Sequence, residues 1–263
     1  MKNDVKRALR DAFNVPLFLA LLCSILVNIA LLAAFFFTYP QLFALLKKVG
    51  YQMGIVQDKP LSYAAHDEQR RFFNTMPKKA GDVVFLGDSH ISLGLWSELF
   101  RRPDIQNRGI SGDTTEGVLR RLGDIIEEQP SMIVMMVGIN DMFWIRDKAK
   151  TLRNYQAILD RIRSELPEAK IVVNSVLPIN SWKFWKSMDS RLIVELNETL
   201  AILAKQHNAL YCDLFPAFVT EELELKPELT NDGLHLNGDG YVLWKSVLEA
   251  QVGIRAGNMV ELR

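Results

Sequence analysis

Cysteine is scarce: Cys23 and Cys212 are the only two in 263 residues. They show no metal-ligand spacing, and Cys23 lies in an apolar N-terminal stretch, so Cys212 has no partner in the rest of the chain. A disulfide framework is excluded, and Cys212 is expected to be a buried, inert thiol. An excess of either charge is also missing, with 31 basic and 31 acidic side chains giving a net charge of zero. No block of basic residues makes a stripe, which argues against nucleic acid as a partner. Internal repeats and low-complexity segments are absent, so repeat architectures fall away. Asn231, Asp232 and Asp239 are spaced wrongly for a calcium loop, and no metal or other cofactor is expected.

The N-terminal region instead has a long apolar run. Val15–Leu46 carries no charge, and its core PLFLALLCSILVNIALLAAFFFTY (Pro16–Tyr39) exceeds the roughly 20 residues that cross a bilayer. Asn28 is the one strongly polar side chain near its middle. A cleaved signal peptide has a shorter apolar stretch and a small-residue cleavage site; here bulky Phe35, Phe36 and Phe37 follow Ala33 and Ala34. An uncleaved transmembrane anchor is expected, the alternative being a buried core helix, which usually keeps some polar face. Lys2, Lys6, Arg7 and Arg10 precede the span and Lys47 and Lys48 follow it, so the N-terminus is expected in the cytoplasm and the large domain outside. The organisation read from this is a cytoplasmic N-terminus over 1–14, an anchor and juxtamembrane segment over 15–46, a stalk and linker helix over 47–79, and the main domain over 80–263. Within the stalk, Leu61–Met76 reads as a polar helix with Tyr63, Phe72 and Phe73 on its apolar side, ended by Pro77.

Beyond Ala80, strand and helix patterns alternate. Strands are expected at Asp82–Leu86, Ile105–Arg108, Met132–Val137, Lys170–Val176 and Ala209–Asp213. Helices are expected at Ile91–Phe100, Thr114–Glu128, Lys148–Leu166 and Arg191–His207, with a last one capped by Asn237. The run MIVMMV at Met132–Val137 suits a strand covered on both faces. Such alternation predicts an α/β domain, with a parallel sheet and helices on both faces. Ligands bind such sheets beyond the carboxyl ends of the strands, which is where the polar clusters fall.

The first cluster, Gly87-Asp88-Ser89, either caps the next helix or presents Ser89 as a nucleophile, which needs a base. Of the four histidines, His90 adjoins Ser89 and is held pointing elsewhere, His66 lies in the stalk helix, and His207 ends a helix. His235 follows Asp232 by three residues in TNDGLHLNGDGY. A carboxylate at that spacing can fix the imidazole tautomer and leave the other nitrogen to accept a proton; an ordinary polar turn is the alternative. Gly112, before the Asp113…Glu116 helix start, can expose its N–H, and Asn140 in Gly138-Ile139-Asn140-Asp141 can offer a side-chain NH₂. A cap and a turn are the plainer readings of those two.

Taken together, Gly87-Asp88-Ser89, Gly112, Gly138-Ile139-Asn140-Asp141 and Asp232-Gly233-Leu234-His235 resemble the motifs of the SGNH hydrolases, also called GDSL esterases or lipases. The stretch NRGISGDTTEGVLRRL (Asn107–Leu122) is most similar to the catalytic subunits of intracellular platelet-activating-factor acetylhydrolase and their bacterial relatives. The resemblance implies a three-layer α/β/α flavodoxin-like domain. It implies Ser89 as nucleophile, His235 as base and Asp232 as its orienting acid, with oxyanion donors from the Ser89 and Gly112 N–H groups and Asn140. The other serine-hydrolase signature, Gly-x-Ser-x-Gly, is not met, because Gly-Asp-Ser-His-Ile lacks the second glycine.

A membrane-anchored serine esterase is therefore expected, acting on a small-molecule ester, an acylated glycan or lipid. Trp182, Phe184 and Trp185 are candidates for an apolar lid over the substrate, with Met142, Phe143 and Trp144 as walls and Asp88 as a further substrate contact. Aromatic packing or a membrane-facing edge is the alternative for the aromatics. No long apolar insert suggests an acyl tunnel, so short acyl groups such as acetyl are favoured. A lysophospholipase or thioesterase-type hydrolase, an acyltransferase to a cell-envelope glycan, and a non-enzymatic membrane-bound binding module are the rival readings.

Overall fold

Five short strands form one wholly parallel sheet: β1 (Val83–Gly87), β2 (Ile105–Gly109), β3 (Met132–Met136), β4 (Lys170–Asn174) and β5 (Leu210–Cys212), in the order β2-β1-β3-β4-β5. In β1 and in most of β3 and β4, successive residues alternate between the two faces, yet both sets are apolar and buried. A parallel sheet covered on both sides requires that. One face carries Val84, Leu86, Ile133, Met135, Ile171 and Val173, under α4 (Thr115–Glu127), α5 (Lys148–Glu165) and α6 (Arg191–Gln206). The other carries Val83, Phe85, Val134, Met136, Val172 and Cys212, packed with Trp96 and Phe100 of α3 (Trp96–Phe100) and Trp244 and Leu248 of α8 (Gly238–Gln251). The domain is thus a three-layer α/β/α fold. Burial beside Asp213 pushes the Cys212 thiol up to about 12, so it stays protonated and unreactive.

The strand order reverses between β1 and β3, and the crevice at such a switch point is where open α/β sheets take ligands. Gly87 ends β1 there, beside Met136. A Cβ on Gly87 would come within 2.8 Å of Ile91 Cγ1 and 2.9 Å of the Met136 carbonyl carbon, and closer still to Met136 O. The neighbouring backbone cannot yield as a flexible side chain would. Gly87→Ala is expected to cost about 3 kcal/mol, at the upper end for overpacking, read as a lowered denaturation midpoint; an unchanged midpoint would contradict this packing.

Three departures from the sequence reading trace to specific hydrogen bonds. The segment Ile91–Phe100 is two short helices, α2 (Ser89–Ser92) and α3, because Asn107 of β2 donates its amide to the carbonyls of Ile91, Ser92 and Gly94 at 2.9, 3.2 and 2.9 Å. Those carbonyls are then unavailable to a continuing helix. The helix α4 is capped by Thr114, whose hydroxyl accepts from Gly117 N–H. Asp113 is instead engaged by Arg121. Asp141–Ile145 forms a π-helical turn, closed by Arg146 N–H donating to Asp141 O at 2.9 Å. Two further short turns, α7 (Phe215–Phe218) and a 3₁₀ turn at Pro227–Leu229, precede the last helix. That helix is capped by Asn237, which accepts from Gly240 N–H.

The computed structural model describes residues 19, 22–31, 34, 46, 63–184 and 188–255, and the chain separates into units Met1–Gln57 and Asp58–Arg263. In the first, residues 22–31 are helical with Leu22, Ile25, Leu26, Val27, Ile29 and Leu31 exposed, and Asn28 donates its amide to Ser24 O at 2.7 Å. Among the described residues no helix is long and apolar enough to cross a membrane; most of the expected anchor over 15–46 lies outside them. In the second unit, α1 (Tyr63–Thr75) meets α4 and β2. Arg70 pairs with Asp124 of α4, and the Arg108 guanidinium lies 5.2 Å from the Phe73 ring centroid.

Candidate active site

Ser89 opens the helical turn directly after β1, and His235 and Asp232 lie on the loop before α8. Ser89 Oγ stands 3.0 Å from His235 Nε2 across a separation of 146 residues, and His235 Nδ1 stands 2.7 Å from Asp232 Oδ2. The other carboxylate oxygen of Asp232 accepts from Leu234 N–H at 2.9 Å and His235 N–H at 2.8 Å. Partial burial pushes the Asp232 pKa up, but the His235 ring and the two backbone N–H groups outweigh it and hold the carboxyl well below its ordinary range. An ionised carboxylate only accepts, so Nδ1 carries the hydrogen and Nε2 is left to accept from Ser89. This arrangement can take the hydroxyl proton onto the imidazole.

The loop is tied to the nucleophile turn by a residue that the sequence reading left without a role. His90 is buried, and its Nε2 lies 3.0 Å from Leu234 O, a bond between positions 144 residues apart. Its ring centroid is 5.8 Å from that of His235. Asp88, expected among the substrate contacts, is also buried; it accepts from His90 N–H at 3.0 Å, and its Oδ1 lies 3.4 Å from His90 Nδ1. Burial pulls the His90 pKa down, but Asp88 and the Leu234 carbonyl overcome this and raise it. Tyr241 of α8 donates to His90 O at 2.8 Å and closes the same knot.

On the opposite side, Gly112 has a backbone φ of +80°, a conformation that favours glycine. The Ser89 and Gly112 N–H groups have no hydrogen-bond acceptor among the described residues. Asn140 donates one amide hydrogen to Asp113 O at 2.9 Å, which fixes its side chain beside the Gly112 loop and leaves the second hydrogen available. Arg121 secures the loop by donating to Asp113 Oδ2 at 2.8 Å and Gly87 O at 3.1 Å. Asp141 is turned inward, accepting from Thr115 N–H at 2.9 Å and Thr115 Oγ1 at 2.5 Å, and burial pushes its carboxyl up to about 6 against those bonds. It braces the start of α4. If Asn140 supplies an oxyanion donor, Asn140→Ala is expected to lower kcat by about 10²–10³ with little change in KM; an unaltered kcat would remove it from that role.

The expected aromatic walls are only partly assembled. Phe143 and Phe184 meet with ring centroids 5.4 Å apart, whereas Trp182 is 86% exposed and Trp144 is also exposed at 37%. Trp185 lies outside the described residues. A cavity of about 410 Å³ does adjoin this region, lined by Met142, Phe143, Arg146, Lys148, Met188, Asp189 and Leu192. Among the described residues, no group of three or more histidine, cysteine or acidic side chains could hold a metal.

Residues 85–243 match the GDSL-like Lipase/Acylhydrolase family. The chain is 32% identical over 181 residues to platelet-activating factor acetylhydrolase IB subunit alpha2 of Rattus norvegicus, covering 66% of this chain and 77% of the relative. Among solved structures, a GDSL-like lipase from Bacteroides thetaiotaomicron is similar, at 20% identity with a TM-score of 0.56 over 79% of this chain and 97% of that one. A mutant acetyl-xylooligosaccharide esterase from Geobacillus Stearmophilus is similar at 18% identity, with a TM-score of 0.55 over 71% of this chain and 99% of that one. The fold, the motif order and these similarities agree that the chain belongs to the GDSL-like lipase/acylhydrolase (SGNH) family and is a carboxylic ester hydrolase.

Proposed function

We propose that this protein is a membrane-anchored serine esterase that removes short acyl groups, acetyl foremost, from glycans or lipids. The observation that carries the chemistry is the Ser89–His235–Asp232 chain at 3.0 and 2.7 Å. In this mechanism His235 takes the Ser89 proton as Oγ attacks the ester carbonyl. The oxyanion is met by the Ser89 and Gly112 N–H groups and the free Asn140 amide hydrogen. His235 then protonates the leaving alcohol, and water activated by the same imidazole releases the acid from acyl-Ser89.

Two features support the choice of a short acyl group. The chain has no long apolar insert to line an acyl tunnel, and its rat relative is named for acetyl hydrolysis. The anchor is supported by the uncharged Val15–Leu46 run and by the exposed apolar side chains of its helical residues 22–31. The flanking basic residues favour an extracytoplasmic catalytic domain. A panel of p-nitrophenyl esters from acetyl to dodecanoyl tests the substrate reading. The specificity constant should be highest for acetyl and fall as methylenes are added; a rise with chain length would favour a lysophospholipase-type enzyme. The full chain should stay with membranes through an alkaline wash and leave only with detergent, whereas recovery in the wash would refute the anchor.

A further inference from the structure

The His235 imidazole hangs from the peptide unit between Leu234 and His235, and that unit is gripped at both edges. Its N–H, on His235, is donated to Asp232 Oδ1 at 2.8 Å. Its carbonyl, on Leu234, faces His90 Nε2 at 3.0 Å. A carbonyl only accepts, so His90 Nε2 carries the hydrogen whatever the state of Nδ1. A planar peptide held through both its oxygen and its nitrogen loses its freedom to turn about the chain, and the direction of the His235 side chain is set with it.

The flanking carbonyls of the loop are also held, but by other parts of the fold. Gly233 O accepts from Asn180 N–H at 2.7 Å, which ties the loop to the segment after β4. His235 O accepts from Thr230 Oγ1 at 2.7 Å, five residues earlier in the same loop. Of these three ties, the one from His90 runs to the nucleophile turn. His90 is firmly seated there. It is buried, its N–H is donated to Asp88 Oδ1 at 3.0 Å, and its carbonyl accepts from the Tyr241 hydroxyl at 2.8 Å. Asp88 Oδ1 also lies 3.4 Å from Nδ1, the other ring nitrogen. Because His90 adjoins Ser89, its hold on Leu234 refers the position of the base to the backbone of the nucleophile itself.

We infer that His90 is a positioning residue: its Nε2–H holds the Leu234–His235 peptide so that the His235 ring stays within reach of Ser89 Oγ. The inference rests on the Ser89–His235–Asp232 mechanism proposed above and adds to it a group that touches neither substrate nor reacting atoms. Its test is the full-length protein carrying His90→Gln, His90→Asn or His90→Leu, assayed with p-nitrophenyl acetate and for its denaturation midpoint. A glutamine amide reaches about as far as Nε2, an asparagine amide stops near the place of Nδ1, and leucine has no donor. His90→Leu and His90→Asn should lower kcat by about 10²-fold, the scale of a misplacement of about 1 Å, with KM within about twofold of the wild type. His90→Gln should recover about tenfold or more of that loss. Equal kcat in the glutamine and asparagine variants, wild-type kcat in the leucine variant, or a loss carried by KM would overturn the inference. A second measurement needs no variant: NMR of the wild-type protein labelled at its histidine nitrogens should show His90 protonated on Nε2, and an unprotonated Nε2 would equally overturn it. Failure of the mechanism itself would show separately, as turnover that survives Ser89→Ala.

Discussion

Ser89→Ala is expected to lower turnover of p-nitrophenyl acetate by about 10⁶-fold, the scale seen when a serine nucleophile is removed. The variant should fold normally. The Ser89 side chain is small, and the carboxylate of Asp88 still caps the turn through His90 N–H. Among the described residues, the 3.0 Å contact to His235 is the one side-chain hydrogen bond of Ser89, so no structural network collapses with it. Substrate binding should persist, because the variant leaves the residue 89 and Gly112 N–H groups and the Asn140 side chain in place. Activity retained within tenfold of the wild type would place the nucleophile elsewhere.

Asp232→Asn is the second large effect, about 10⁴-fold in kcat, and here the direction can be derived. The Oδ1 position is pinned by two backbone N–H donors, at 2.9 and 2.8 Å. An asparagine must keep its oxygen there, so its NH₂ faces His235 Nδ1. That NH₂ donates to Nδ1 and forces the hydrogen onto Nε2, which then cannot accept from Ser89. The enzyme would be folded and able to bind substrate but without a base. In the wild type, a general base must be unprotonated to act, and the depressed pKa of Asp232 keeps that carboxylate ionised as the pH falls, so Asp232 does not set the acid limb. The specificity constant should therefore fall with a slope of about one per pH unit on the acid side. A flat acid limb, or an Asp232→Asn enzyme of near-normal kcat, would contradict this role for the pair.

The sheet and the polar clusters were legible because both depend on local sequence. A strand buried on both faces is a continuous apolar run, and the residues that end it stand out as Gly87-Asp88-Ser89 and Gly138-Ile139-Asn140-Asp141. What was not legible depends on partners far along the chain. The break in Ile91–Phe100 comes from an Asn107 side chain that takes three helix carbonyls. His90 looked idle beside Ser89 because its acceptor, Leu234 O, lies 144 residues away. Helix α1 read as a polar linker, yet its polarity includes Arg70 facing Asp124 and His66 3.8 Å from Asp113. The π-helical turn adds one residue to a helical turn, a change that apolar periodicity over five residues does not record. Asp141 adjoins Asn140 in one motif, but the two take different partners, Asn140 donating to Asp113 O and Asp141 accepting from Thr115.

The central claim is that the hydroxyl of residue 89 is made nucleophilic by the imidazole of residue 235. Fluorophosphonate labelling followed by peptide mass spectrometry measures this directly. The wild-type protein should carry the phosphonyl adduct on the peptide containing Ser89, and His235→Ala should carry almost none under the same exposure. An adduct on another residue, or equal labelling of Ser89 with and without the histidine, would contradict it.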